Sequence, residues 1–212
     1  MLTPVPPPRV PEPTRDYEFG NTLSILNTLR LYFNRLSAAV NAVIGRNGGA
    51  YIEVPNGMFF DTGDQALGAV NVAQPVRFNH TYIDNGVSIN GATTSEITVA
   101  QSGVYNIQAT ALLRSNSGSS KIAYFWINRN GTDIGYSAKE YSLSGAGKLI
   151  EMVWSFNIDV QAGQYIQLRW SGDDINMSLD TVAATSPHPG IPSAVVAIML
   201  VSTLPDPLPT PP

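Results

Sequence analysis

Between residues 58 and 202 the chain carries nine short runs rich in β-branched and aromatic residues, with no helix-period segment between them. The runs are MFFDT (58–62), VRFNHTYI (76–83), SEITVA (95–100), GVYNIQATALLR (103–114), KIAYFWINRNG (121–131), LIEMVWSFNIDV (149–160), GQYIQLRWSG (163–172), NMSLDTV (176–182) and PSAVVAIMLVS (192–202). Many alternate apolar with polar residues, the period of a strand with one buried face. In GVYNIQATALLR, Val104, Asn106, Gln108 and Thr110 fall on one side, and Tyr105, Ile107, Ala109 and Ala111 on the other. DNG (84–86), QSG (101–103), RNG (129–131) and QAG (161–163) read as turns in which glycine supplies a positive φ. Strands in this number without crossover helices imply a mainly β fold, an antiparallel jelly-roll sandwich.

One segment has the other period. In FGNTLSILNTLRLYFNRLSAAVNAVIG (19–45), Phe19, Thr22, Leu26, Leu29, Phe33, Leu36, Val40 and Val43 are spaced alternately three and four apart. That is the a/d seam of a coiled coil, preceded by Thr14 or Asp16 as cap and closed by Gly45. Asn27, Asn34 and Asn41 line the opposite face. The flanking positions hold Leu23, Ile25, Tyr32, Ala39 and Ile44, so the stripe is wider than a two-stranded seam and suits three helices or one large surface. A single such helix with this much asparagine is marginal in water and needs a partner.

Both termini are proline-rich, with six prolines in residues 1–13 and five in residues 205–212. Such segments form neither helix nor ladder and are expected to be extended. The organisation is therefore an arm (1–15), a helical stalk (16–48), a jelly-roll head (49–204) and a tail (205–212). Val5, Pro7, Arg9 and Val10 would let the arm lie in a groove of another subunit.

Charged residues make up 13% of the chain, about half the usual share, and the net charge is −4. Lys and Arg form no cluster, which argues against nucleic acid and against an anionic membrane surface. With no cysteine there is neither a disulfide framework nor a thiolate metal site. The opening MLTPVPPPRVPEP lacks the pattern of a secretory signal, and SAVVAIMLV (193–201) is too short to span a bilayer. The expectation is a soluble, unexported chain.

No catalytic constellation stands out. His80 lies within a strand and His188 in a loop, without a nucleophile elbow for either. Asp61/Asp64 and Asp173/Asp174 sit in turn-like sequences, where Asp bonds its own backbone, and their spacing is not that of an EF-hand loop. Asn79, Asn130 and Asn176 begin Asn-x-Ser/Thr triplets. Trp126, Trp154 and Trp170 are expected in the core or at a subunit interface. The reading is a non-enzyme that uses no cofactor and no metal.

Three segments carry a family likeness. PVRFNHTYIDNGVSINGATTSEITVAQSGVYNIQATALL (75–113) resembles the first half of the jelly roll of complement q-type globular heads and tumour necrosis factor ligands, with Gly103 and Tyr105 at its glycine and aromatic positions. INRNGTDIG (127–135), with Gly131, resembles the family hairpin. IDVQAGQYIQL (158–168), with Gly163, resembles a later strand, although Gln164 stands where Asp is usual. The phrasing also resembles a group of tailed-bacteriophage virion proteins, through Ser95–Gln108, Arg129–Ile134, Ala162–Ser171 and Ile191–Val195 in that order.

The likeness covers roughly residues 58–204 and implies a homotrimer. It further implies a structural protein of a phage particle, a head fibre, spike or capsid decoration located in the virion, with capsid or tail protein as partner of the arm. The alternatives it leaves open are a receptor-binding tail fibre that contacts host surface glycan, and a soluble complement-q-like ligand or lectin. On the stalk reading, a fragment lacking residues 1–47 keeps its fold by circular dichroism but associates more weakly in light scattering. Loss of solubility instead would mean that the helix covers its own sandwich.

Overall fold

The computed structural model describes residues 8–9, 19–44 and 54–202. The chain divides into two units, Met1–Glu53 and Val54–Pro212. The first contributes one helix, α1 (Phe19–Ile44), about 39 Å long at 1.5 Å per residue. Its span matches the periodic stretch. The caps expected at Thr14 or Asp16 and at Gly45 lie outside the described residues.

The second unit is a jelly-roll sandwich. Its strands are β1 (Asn56–Asp61), β2 (Gln65–Ala66), β3 (Gln74–Pro75), β4 (His80–Asn85), β5 (Val87–Ile89), β6 (Ile97–Val99), β7 (Gly103–Ser115), β8 (Lys121–Arg129), β9 (Thr132–Asp133), β10 (Lys139–Leu143), β11 (Lys148–Val160), β12 (Tyr165–Gly172), β13 (Met177–Leu179) and β14 (Ala194–Ser202). One sheet runs β4-β1-β14-β7-β11, with β13 and β2 continuing beside the far end of β7. The other runs β10-β8-β12-β6-β5, with β3 on β12 and β9 on β8. All these strand pairs are antiparallel.

The long strand β7 organises the first sheet. It pairs with β11 from Gly103↔Val160 to Ser115↔Lys148, and with β14 from Val104↔Ser202 to Ala111↔Ala194. The alternation read from its sequence is realised. Tyr105, Ile107, Ala109, Ala111 and Leu113 are buried, facing Phe125, Ile127, Ile166, Leu168 and Trp170 of the second sheet in one continuous core. Phe125 and Trp170 stack at 5.7 Å. One side of the sandwich is fastened by hydrogen bonds from Trp154 Nε1 to the Ser137 carbonyl (3.0 Å) and from Tyr141 Oη to the Val153 carbonyl (2.8 Å).

Several local readings are corrected. The strand expected from residue 76 begins only at His80. Val76 and Phe78 are buried but donate their N–H groups to Leu168 and Thr94, because here the chain crosses from one sheet to the other. The run at 176–182 is a strand only at Met177–Leu179; the Asp180 N–H still reaches the Leu112 carbonyl, but the Thr181 N–H is taken by the Asp64 carboxylate (2.7 Å). Strand β10 was not expected at all.

Gly86, Gly131 and Gly163 do adopt positive φ, at 65°, 88° and 81°. Gly103 does not, and its requirement is space. A Cβ there would sit 2.2 Å from Leu200 Cδ1 and 2.7 Å from the Ser202 carbonyl oxygen. Replacing Gly103 with Ala should therefore cost about 1–3 kcal/mol, the usual range for overpacking. The thermal midpoint should fall by several degrees, and an unchanged midpoint would contradict the close approach of β7 and β14.

Candidate functional site

The two sheets present very different outer faces. On the first, residues of equal register across β14, β7 and β11 form rows: Met199–Asn106–Asn157, Ala197–Gln108–Ser155 and Val195–Thr110–Val153. None of these side chains ionises. Asn106 Nδ2 donates to Asn157 Oδ1 (2.7 Å), and Gln108 Nε2 donates to Asn106 Oδ1 (3.1 Å), so the amides satisfy one another across the strands. Charges stand at the two ends of the β11 face, Glu151 and Asp159.

Towards the other edge of this sheet the face becomes apolar and aromatic. Met58 lies opposite Ile83, and Phe60 stacks on His80 with ring centroids 5.0 Å apart. Tyr82, at the irregularity between these two pairs, is 72% exposed. Met58, Phe60, Tyr82, Ile191 and Val195 line one groove. Met199 and Val201, beside it on β14, are 51% and 58% exposed. An exposed face of Met, Phe, Tyr and Val without charge has the make-up of a subunit-interface core.

The second sheet is the reverse. Tyr124 Oη donates to Glu140 (2.8 Å), Arg129 reaches Asp159 (2.6 Å), and Arg169 sits across from Trp126 with Asp133 nearby. Charged side chains thus run across this face, whereas on the first sheet they stand only at its ends.

In α1 the heptad positions remain in contact with water. Leu26 and Phe33 are both 58% exposed, Val40 is also exposed, and Leu29 and Leu36 are half-buried. No side chain from Gly20 to Asn41 is buried. Phe19 and Val43 belong to the helix, but their side chains lie outside the described residues. So do Val5, Pro7 and Val10 of the arm, whereas Arg9 is exposed.

The remaining sequence candidates have structural partners. Tyr105 is fully buried with its hydroxyl on the Gln101 carbonyl (2.7 Å), and burial pushes its pKa up. Gly131 donates its N–H to Asn128 Oδ1, and Gly163 donates to the Val99 carbonyl. His80 is exposed and lies 3.1 Å from Thr62 Oγ1. His188 exchanges backbone hydrogen bonds with Thr185. Asp61 accepts from Gly63 N–H and Gln65 Nε2, and Asp64 accepts from Thr181. Asp173 accepts from Ile122 N–H. Among the described residues no three His, Cys, Asp or Glu side chains gather as a metal site, and no helix is long and apolar enough to cross a membrane. Trp154 and Trp170 are buried as expected, and Trp126 is partly buried on the second sheet.

Sequence reasoning did not single out the first sheet's outer face. Its signal was present in PSAVVAIMLVS, which is apolar on both parities. Val196 and Ile198 face the core, while Val195, Ala197 and Met199 form the opposite side. A strand apolar on both faces is one that expects cover on both.

No family model and no curated protein matches the chain. Among solved structures it is similar to the tumour necrosis factor Eiger of S. frugiperda (9% identity, 75% of this chain and 99% of that one, TM-score 0.48). It is also similar to the globular domain of zebrafish complement 1qA (15% identity, 72% and 100%, TM-score 0.44). The fold assignment stands on the strand order and register themselves.

Asp174 provides a pH handle on the head. Hydrogen bonds from the Asn176 backbone N–H (2.9 Å), then the Lys121 ammonium (2.9 Å), hold its pKa at about 2, below the ordinary 3.8. A depressed carboxylate stabilises the fold above its unfolded pKa, and that contribution disappears as pH falls through the folded value. The Asp174→Asn variant should therefore lose less stability than wild type between pH 4 and 2 in urea titrations. Parallel pH profiles would contradict this role.

Proposed function

We propose that this chain is a non-enzymatic structural protein that works as a homotrimer, with α1 as a three-stranded stalk and the uncharged face of the first sheet packed between heads. The observation that carries the reading is that face: three rows of side chains without an ionisable group, bordered by an apolar and aromatic groove. The exposed heptad stripe of α1 supports it independently, and its apolar flanking positions favour three helices over two.

In this reading the protein belongs to a bacteriophage virion, as a head fibre, spike or capsid decoration whose N-terminal arm binds capsid or tail protein. The support is the resemblance of the ordered set of motifs from Ser95 to Val195 to those of phage virion proteins. Mass spectrometry of purified particles tests the location, and absence from them would end that part of the reading.

Association is tested by placing a charge on the face. Met199 is half-exposed in the single chain, so Met199→Asp should fold. In a trimer the same carboxylate would be buried without a partner, at a cost of several kcal/mol. Light scattering should show the assembly shifted to smaller species with an unchanged circular dichroism spectrum. An unaltered assembly would place the interface elsewhere.

A further inference from the structure

The groove at the edge of the first sheet takes its lining from Met58 and Phe60 of β1, Tyr82 of β4, Val195 of β14, and segment 181–192, which adds Val182 and Ile191. That segment is fixed. Val182 and Ile191 exchange backbone hydrogen bonds (2.9 Å each), and Thr181 N–H donates to Asp64 Oδ1 (2.7 Å). The groove is therefore formed in advance, and an occupant need not order its walls. Its volume is about 1160 Å³, above the roughly 300–1,000 Å³ of small-molecule pockets. No carboxylate, ammonium or guanidinium lines it. Tyr82 is 72% and Ile191 51% exposed, so apolar area stands in water here. Such a groove suits an extended, uncharged peptide, and aromatic-lined grooves take proline-rich segments in polyproline form.

The sequence supplies that peptide beside the groove. Strand β14 carries Val195 and ends at Ser202, where the ten residues TLPDPLPTPP (203–212) follow. Asp206 is their single charged side chain. With three residues per turn of polyproline helix, Leu204 and Pro207 fall on one ridge, Pro205, Leu208 and Pro211 on the next, and Asp206 on the third. Two apolar ridges can thus meet the groove while the carboxylate faces water. The reach is sufficient. Strand β1 runs antiparallel to β14, with Asp61 opposite Ala194 and the Pro55 carbonyl accepting from Leu200 N–H, so Met58 and Phe60 lie back along β14 from its end. From Ser202 back to Val195 is roughly 23 Å of strand. After a reversal of about two residues, the rest of the tail spans roughly 25 Å at 3.1 Å per residue.

We propose that this tail folds back on its own chain and docks in the groove as a polyproline helix, on the β1 and β4 side of β14. Its covalent tether holds it at about millimolar effective concentration. The N-terminal arm fits the groove less well, because residues 1–15 carry Arg9, Glu12 and Arg15 and belong to the other unit. Docking within one chain leaves the rows of β14, β7 and β11 uncovered, so it holds whether or not heads associate.

The chain has no cysteine, so Thr210→Cys gives the full-length protein one attachment point for a nitroxide. Methionine methyl resonances are compared with the label oxidised and reduced. Met58 marks the groove, and Met199 marks the strand nearer the root of the tail. A docked tail broadens Met58 more than Met199, whereas a free tail does the reverse. Tyr82→Ala should restore most of the Met58 intensity with an unchanged circular dichroism spectrum, since that ring is largely exposed. Assembling the isotope-labelled, nitroxide-bearing chain with an excess of unlabelled wild-type chain should leave the Met58 broadening in place, because tail and groove belong to one molecule. The inference is overturned if Met58 is broadened no more than Met199, or if Tyr82→Ala leaves the broadening intact. It is also overturned if the excess of wild-type chain removes the broadening, which would put a neighbouring chain's tail in the groove. A Met58 resonance indifferent to the nitroxide but shifted by Met199→Asp would overturn it as well, placing a second head there.

Discussion

Strand β7 is hydrogen-bonded along its full length to β11 and over most of it to β14, and its period of two then fixes what both surfaces of the first sheet can be. A slip of one residue would carry Tyr105, Ile107 and Leu113 into water and Asn106 and Gln108 into the core. The close approach at Gly103, where no Cβ fits beside Leu200, accompanies that register. Core and outer face are therefore two consequences of one alignment.

The inward side of that alignment is an ordinary sandwich core. The outward side is what distinguishes the molecule. A water-facing sheet normally carries Lys, Glu and Arg, as the second sheet of this head does with Arg169, Glu140 and Arg129. The first sheet carries amides, hydroxyls, Met and Val instead. Leaving such a face in water forgoes the stabilisation its burial would give, roughly 25 cal/mol per Å² of apolar surface. The helix poses the same problem in one dimension, with Leu26 and Phe33 exposed on a segment too polar on its other side to persist alone. The self-association proposed above would cover both.

Much of the fold was legible because strand alternation and turn glycines are local signals. GVYNIQATALLR displays its two faces directly, and the helix announces its span by spacing. What was not legible depended on distant partners. Residues 76–79 look like the start of a strand but form a crossing between sheets, and KEYSL became β10 only because Tyr124 and Phe125 lie beside it. Gly103 looks like a turn glycine and is a packing glycine.

The account turns on whether the chain exists alone. Sedimentation equilibrium of the full-length protein at micromolar concentration measures this directly. The proposed homotrimer predicts a single species at three times the 22.8 kDa chain mass. A stable, well-behaved monomer would contradict it, leaving the uncharged sheet face and the helical stripe without the partner that the proposal assigns them.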